Sequence, residues 1–200
     1  MDSEPILITP ALSPDIDRIL FLCDCKKDSS VYSYMREEAI RVAGEVSAAA
    51  VPIASLCFAE GSVFCVMTVG QKASTMSGGY FDQGEYVCGL IADAVCDDLI
   101  IQLGGFVKEE LRLQCEKRGV GICRRMEAPQ DMPMERQKAI CHYAQAEKIG
   151  VHLLESLMLA PVKSTCCEYI LSDKNEFHAE HDCSRCPRLD CKLRNRGSEQ

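Results

Sequence analysis

The sequence predicts an α/β (α+β) fold: a twisted, mainly antiparallel sheet packed by long helices, with a short cysteine-rich extension at the C-terminus. Three observations predict it. Residues 30–50 and 84–118 carry apolar positions at helical spacing. Residues 51–58 and 62–69 are short apolar runs separated by a turn, and 162–171 form a third run behind a proline. Beyond residue 175 the apolar periodicity stops and cysteine, histidine and arginine take over. Two hundred residues at 47% hydrophobic content suffice for one domain and a small appendage. The expected division is 1–175 for the domain and 176–200 for a metal- or cluster-binding tail.

In chain order, Pro10 and Pro14 break the first twenty residues. Arg18–Cys25 then reads as a short helix or strand ending in Cys23-Asp-Cys25. That pair is too close to chelate one ion comfortably through both sulfurs, so packing is its ordinary reading. The segment 30–50 is a helix, with Met35, Ala39, Ile40, Ala43 and Val46 on one stripe and Ser29 or Ser30 as N-cap. Glu60-Gly61 between the two apolar runs marks a β-hairpin. The Ser/Gly-rich stretch through Gly79 reads as a loop.

Residues 84–118 carry the stripe Ile91, Val95, Leu99 and Leu103, with Asp93, Asp97 and Asp98 beside it. Gly104-Gly105 is expected to break or kink this helix. Residues 119–132 read as a loop or irregular strand, and 134–148 as a helix opened by Pro133. Residues 149–160 also fit a helical pattern, through Val151, Leu154, Leu157 and Met158; Pro161 ends it.

Charge and composition exclude several classes. A net charge of -8 argues against a general nucleic-acid binder, which needs a basic face to displace counterions. No apolar run is long enough to span a membrane. Met1-Asp-Ser-Glu is acidic where a secretory signal would be basic, so the expected location is cytoplasmic. Fourteen cysteines should then be reduced, and Cys88, Cys96, Cys115 and Cys141 read as small buried apolar residues. The chain has no Gly-rich phosphate loop and no nucleophile with an acid/base pair.

The chemistry concentrates in His181-Asp-Cys183-Ser-Arg-Cys186-Pro-Arg-Leu-Asp-Cys191. A two-residue gap between thiolates lets the backbone loop around a common centre, which is ligand spacing for zinc or an iron–sulfur cluster. Cys183, Cys186 and Cys191 supply three ligands. The fourth is open among Cys166, Cys167 and His181.

A family resemblance joins these parts. Asp131-Met-Pro-Met-Glu-Arg-Gln137, followed by the stretch from Lys148 to Ser164 with Glu155-Ser156 and Pro161, resembles the activation (reactivation) domain of vitamin B12-dependent methionine synthase. It is most similar to the small stand-alone versions found in anaerobic bacteria. Val66-Met-Thr-Val-Gly70 and Ile91-Ala-Asp-Ala-Val-Cys-Asp97 resemble further segments of that family, in the same order. The resemblance implies a domain that binds S-adenosylmethionine and covers a cobalamin domain while oxidised cobalt is reduced and remethylated. It places Arg124 on the family's ligand-binding arginine and Asp97 on its helical acid. The family's following Gly-Tyr is absent, and Ala128-Pro129 stand there. The added Cβ and lost N–H both work against close approach of a ligand.

Two functions follow as expectations. One is an accessory protein of corrinoid-dependent methyl transfer, docking on a corrinoid protein or B12-dependent methyltransferase and assisting its reductive reactivation. Cobalamin would then be supplied by the partner, and the tail would be an electron relay. Low-potential chemistry favours an iron–sulfur cluster over zinc in that setting. The other is a non-catalytic metal-binding or redox-sensing module that retained the fold and lost S-adenosylmethionine.

Overall fold

A computed structural model describes residues 4–194. In chain order the elements are β1 (Ile6–Ile8), α1 (Ile16–Leu22), α2 (Tyr32–Ala49), β2 (Ile53–Ala59), β3 (Ser62–Thr68), α3 (Gln71–Asp82), α4 (Tyr86–Arg118), β4 (Gly121–Met126), α5 (Arg136–Tyr143), a 3₁₀ turn (Ala146–Ile149), β5 (His152–Leu153), β6 (Leu159–Ala160) and β7 (Ser164–Ser172). The main sheet runs β1-β2-β3-β7-β4 with every neighbouring pair antiparallel, and β5-β6 form a small separate hairpin. The predicted α+β class is the observed one.

The sheet is covered on both faces, which explains why β2 and β3 read as near-continuous apolar runs. One face carries Leu56, Val63, Cys65, Met67, Cys167 and Tyr169 against Leu103, Val107 and Leu111 of α4. The other carries Cys57, Phe64, Val66 and Cys166 against Ile140 of α5 and the 3₁₀ turn. The N-terminal half of α4 belongs to a third core of helices, where Ile91, Val95 and Leu99 meet Ile19, Val42 and Val46. The predicted stripe Ile91, Val95, Leu99, Leu103 is therefore buried throughout, but its last residue serves a different layer from its first.

The hairpin forms as read: Ala59 pairs with Ser62, and Glu60 and Gly61 both take positive φ in the turn. Helix α2 forms where expected, with Ala39, Ala43 and Val46 of the stripe buried, but Ile40 is exposed and Val42 is buried in its place. Neither serine caps it, and Val31 is its N-cap with no side-chain cap bond.

Four segments differ from expectation. The stretch after Gly70 is helix α3, because its low intrinsic propensity is offset by packing on α4. Ser77 Oγ donates to Gly89 O at 2.9 Å, and the Phe81 ring lies where a Cβ on Gly89 would stand, 2.7 Å away. Gly104-Gly105 do not interrupt α4, whose 33 residues run on with both glycines in helical backbone. The stretch 149–160 is the β5-β6 hairpin, with Leu157 at φ 65, and Leu154 and Met158 exposed. The helix expected over 134–148 is shortened to α5 because Gln145 turns left-handed.

Candidate functional site

The segment after β7 is stitched to the domain. Gly121 opens β4 against the chain returning from β7, and a Cβ there would lie 2.1 Å from Lys174 O and 2.5 Å from Glu176 O. Only glycine permits that approach. The Ile122 N–H donates to Glu176 O and the His178 N–H to Ile122 O, both at 2.8 Å. Ala179 is buried among the α4-side core, with Phe177 packed against it. Farther on, Glu180 pairs with Lys108 of α4 at 2.6 Å, and Gln130 donates to Asp182 O at 3.2 Å. Lys192 reaches Leu22 O at 2.7 Å and Asp24 at 2.6 Å, beside the C-terminus of α1. The tail thus crosses α4 from the β4 edge towards the helical layer.

Beneath it lies a hollow of about 500 Å³. Its floor is Met67, Thr165 and Tyr169 of the sheet, and Ile100, Ile101, Gly104 and Gly105 of α4 form one wall. Neither glycine has a heavy atom within 4 Å of where its Cβ would stand, so the pair widens the hollow where larger side chains would fill it. Its roof is the tail: His181, Cys183, Cys186, Cys191 and Arg194 all line it. The structure therefore brings the three predicted tail ligands to one cavity. Among the described residues, however, no three His, Cys, Asp or Glu side chains are gathered into a group that could hold a metal ion.

The three proposed sources of a fourth ligand lie in different places. Cys166 faces away, on the α5 side of the sheet, with its Sγ 3.3 Å from Gln137 Oε1. The structure does not bring it to the tail. Cys167 points to the tail side but is fully buried, directly opposite Cys65 in the β3–β7 register. A hydrogen bond from Cys65 holds the Cys167 thiol below its ordinary pKa despite burial, and the Arg125 guanidinium and Tyr169 hydroxyl add to that; Cys65 is pushed up correspondingly. His181 lies in the hollow, with Nδ1 2.5 Å from Glu127 Oε2. Burial opposes its protonation, but Cys186 and Glu127 outweigh this and raise its pKa. The Cys186 thiol is lowered by a backbone N–H at Arg188 and by His181.

The residues assigned by family resemblance have partners within the chain. Arg124 pairs with Asp131 at 2.6 Å, an aspartate that Arg185 of the tail also approaches at 3.5 Å. Asp97 pairs with Lys163 at 2.6 Å, which also holds Asp93 at 2.9 Å. Burial works against the Lys163 charge, and these two carboxylates more than compensate, raising its pKa. Neither Arg124 nor Asp97 is among the residues lining the hollow under the tail. Arg125 is. It pairs with Tyr169 across β4–β7, lies 6.0 Å over that ring and ion-pairs with Glu127, while its buried Nε has no partner. Sequence reasoning missed Arg125, Glu127 and Tyr169. The face of each arginine depends on a register shift between Ile122 and Arg124, which leaves no mark in a single sequence. Cys23 donates towards Leu90 O at 3.9 Å and packs with Cys25 against the helical core, as the packing reading had it.

No family model matches the sequence, and neither does any curated protein. Among solved structures the chain is similar to the MetH reactivation domain bound to AdoHcy, with a TM-score of 0.63 at 11% identity, over 90% of this chain and 82% of that one. At that identity the likeness establishes the fold. Among the described residues, no helix is long and apolar enough to cross a membrane.

Proposed function

We propose that this chain is an accessory protein of corrinoid-dependent methyl transfer, which docks on a cobalamin-bearing protein and assists its reductive reactivation. In this reading Cys183, Cys186 and Cys191 hold an iron–sulfur cluster, or zinc, over the sheet. The observation that carries it is the coincidence of a MetH reactivation-domain fold with three tail cysteines lining one hollow on the sheet's α4 face. Three thiolates at these gaps suit a soft metal centre. An iron–sulfur cluster would supply low-potential electron transfer; the chain's own residues would hold it in the hollow that Arg125 also lines.

The test is anaerobic purification of the full chain, with iron, sulfide and zinc analysis, followed by binding to a corrinoid protein loaded with cob(II)alamin. Association with that protein and faster return of its cobalt to the methylated state support the proposal. Absence of association at high micromolar concentration overturns it.

A second reading has its own support: a metal-binding or redox-sensing module that no longer binds S-adenosylmethionine. Arg124 and Asp97 are both occupied by internal partners, and Ala128-Pro129 replace the family's Gly-Tyr. A ligand using that arginine and acid would have to displace Asp131 and Lys163. Calorimetric titration with S-adenosylmethionine and AdoHcy separates the two; binding weakened by Arg124→Ala and by Asp97→Ala would remove the second reading.

A further inference from the structure

We infer that His181, rather than Cys166 or Cys167, is the fourth protein ligand of the tail centre, and that Glu127 is the carboxylate that positions its ring. The inference rests on the proposal that Cys183, Cys186 and Cys191 bind a metal. Its argument is geometric.

A fourth ligand must meet the tail thiols without a barrier between them. The sheet itself separates Cys166 from the hollow, since alternate residues of β7 face opposite layers and 166 shares the side of Phe64, Val66 and Ile140. Cys167 is on the correct side but has no exposure, and it packs with Cys65, Met67 and Tyr169 in the core below the hollow. Reaching it would require β7 to leave the sheet. His181 meets neither obstacle: it precedes Cys183 by two residues and lines the same hollow as Cys183, Cys186 and Cys191.

The ring is also prepared for coordination. With Nδ1–H donated to Glu127 Oε2 at 2.5 Å, a neutral imidazole presents its Nε2 lone pair. That is the arrangement of metal-bound histidines, whose second nitrogen donates to a carboxylate. Glu127 is itself fixed by Arg125, which is anchored over Tyr169 of the sheet. His181 is therefore a tail donor tied to the domain, and Glu127 is a positioning residue. Since the donors are not gathered in this structure, metal binding must draw Cys183, Cys186 and Cys191 in around that fixed point.

The test uses the anaerobic full-length chain, offered Zn(II), Co(II) as a spectroscopic probe, or Fe(II) with sulfide. Cys166→Ser and Cys167→Ala should keep the wild-type stoichiometry and Co(II) spectrum, provided that circular dichroism shows them folded. His181→Ala should weaken metal binding by at least about 100-fold, and Glu127→Gln by about 10- to 100-fold with its Co(II) bands little changed. His181→Cys should restore tight binding with the bands moved to those of four thiolates. Wild-type affinity and spectrum in His181→Ala would overturn the assignment, as would loss of metal from a folded Cys166→Ser or Cys167→Ala. A wild-type chain that takes up no metal, or a Cys186→Ser variant that binds as well as wild type, would instead remove the underlying metal proposal and this inference with it.

Discussion

Replacing Gly104 and Gly105 together by alanine gives opposite results for a broken and a continuous α4. Both residues lie in the interior of the 33-residue helix, with helical φ and no heavy atom within 4 Å of an added Cβ. Each substitution should then remove backbone freedom from the unfolded chain without a clash, stabilising by about 0.5–1 kcal/mol. The pair contributes about 1–2 kcal/mol, or a rise of about 2–8 °C in melting temperature for a domain of this size. At a break with left-handed glycines, the same change would destabilise by more than about 1 kcal/mol. Thermal unfolding followed by circular dichroism reads the sign directly. An unchanged or lowered midpoint would refute a continuous helix with glycines facing an open hollow.

Other outcomes follow from the same contacts. Glu168 is buried, and although burial raises a carboxyl pKa, hydrogen bonds from Arg136 (2.7 and 2.8 Å) and Ser62 (2.7 Å) outweigh it and hold the folded pKa low. Its stabilisation is therefore present above the ordinary carboxylate range and is lost as pH falls through the depressed folded value. Glu168→Gln should cost about 1–3 kcal/mol at neutral pH, trimmed because Arg136 is partly solvated. Urea midpoints for the two proteins should converge in acid; a constant gap would contradict the assignment. Gly121→Ala should cost about 1–3 kcal/mol, because the obstructing atoms are backbone carbonyls. It should also expose 173–194 to limited proteolysis, and wild-type resistance would mean that the tail is not held at β4. Asp98 is fully buried, ion-paired with Arg18 at 2.9 Å and accepting from the Asp15 N–H at 2.9 Å. Asp98→Ala should destabilise by about 1–3 kcal/mol and speed amide exchange in α1 first; uniform exchange changes would argue against that local tether.

The sequence alone determined what depends on local period and local chemistry. Helix α2, the β2-β3 hairpin with its Glu60-Gly61 turn, the strand after Pro161 and the buried face of α4 were legible because each is written in residues a few positions apart. The close spacing of Cys183, Cys186 and Cys191 was legible for the same reason. Tertiary structure decided the rest. Helix α3 exists because α4 offers it a surface, with Gly89 leaving room for Phe81. Gly104-Gly105 hold helical geometry because Leu103 and Val107 are locked into the sheet-side core on either side of them. Whether Arg124 or Arg125 faces the hollow, and whether Cys166 or Cys167 does, turns on strand register, where a shift of one residue exchanges the faces. A single sequence carries side-chain types and their spacing. The partner strand that fixes the register is dozens of residues away, and only the folded chain brings it alongside.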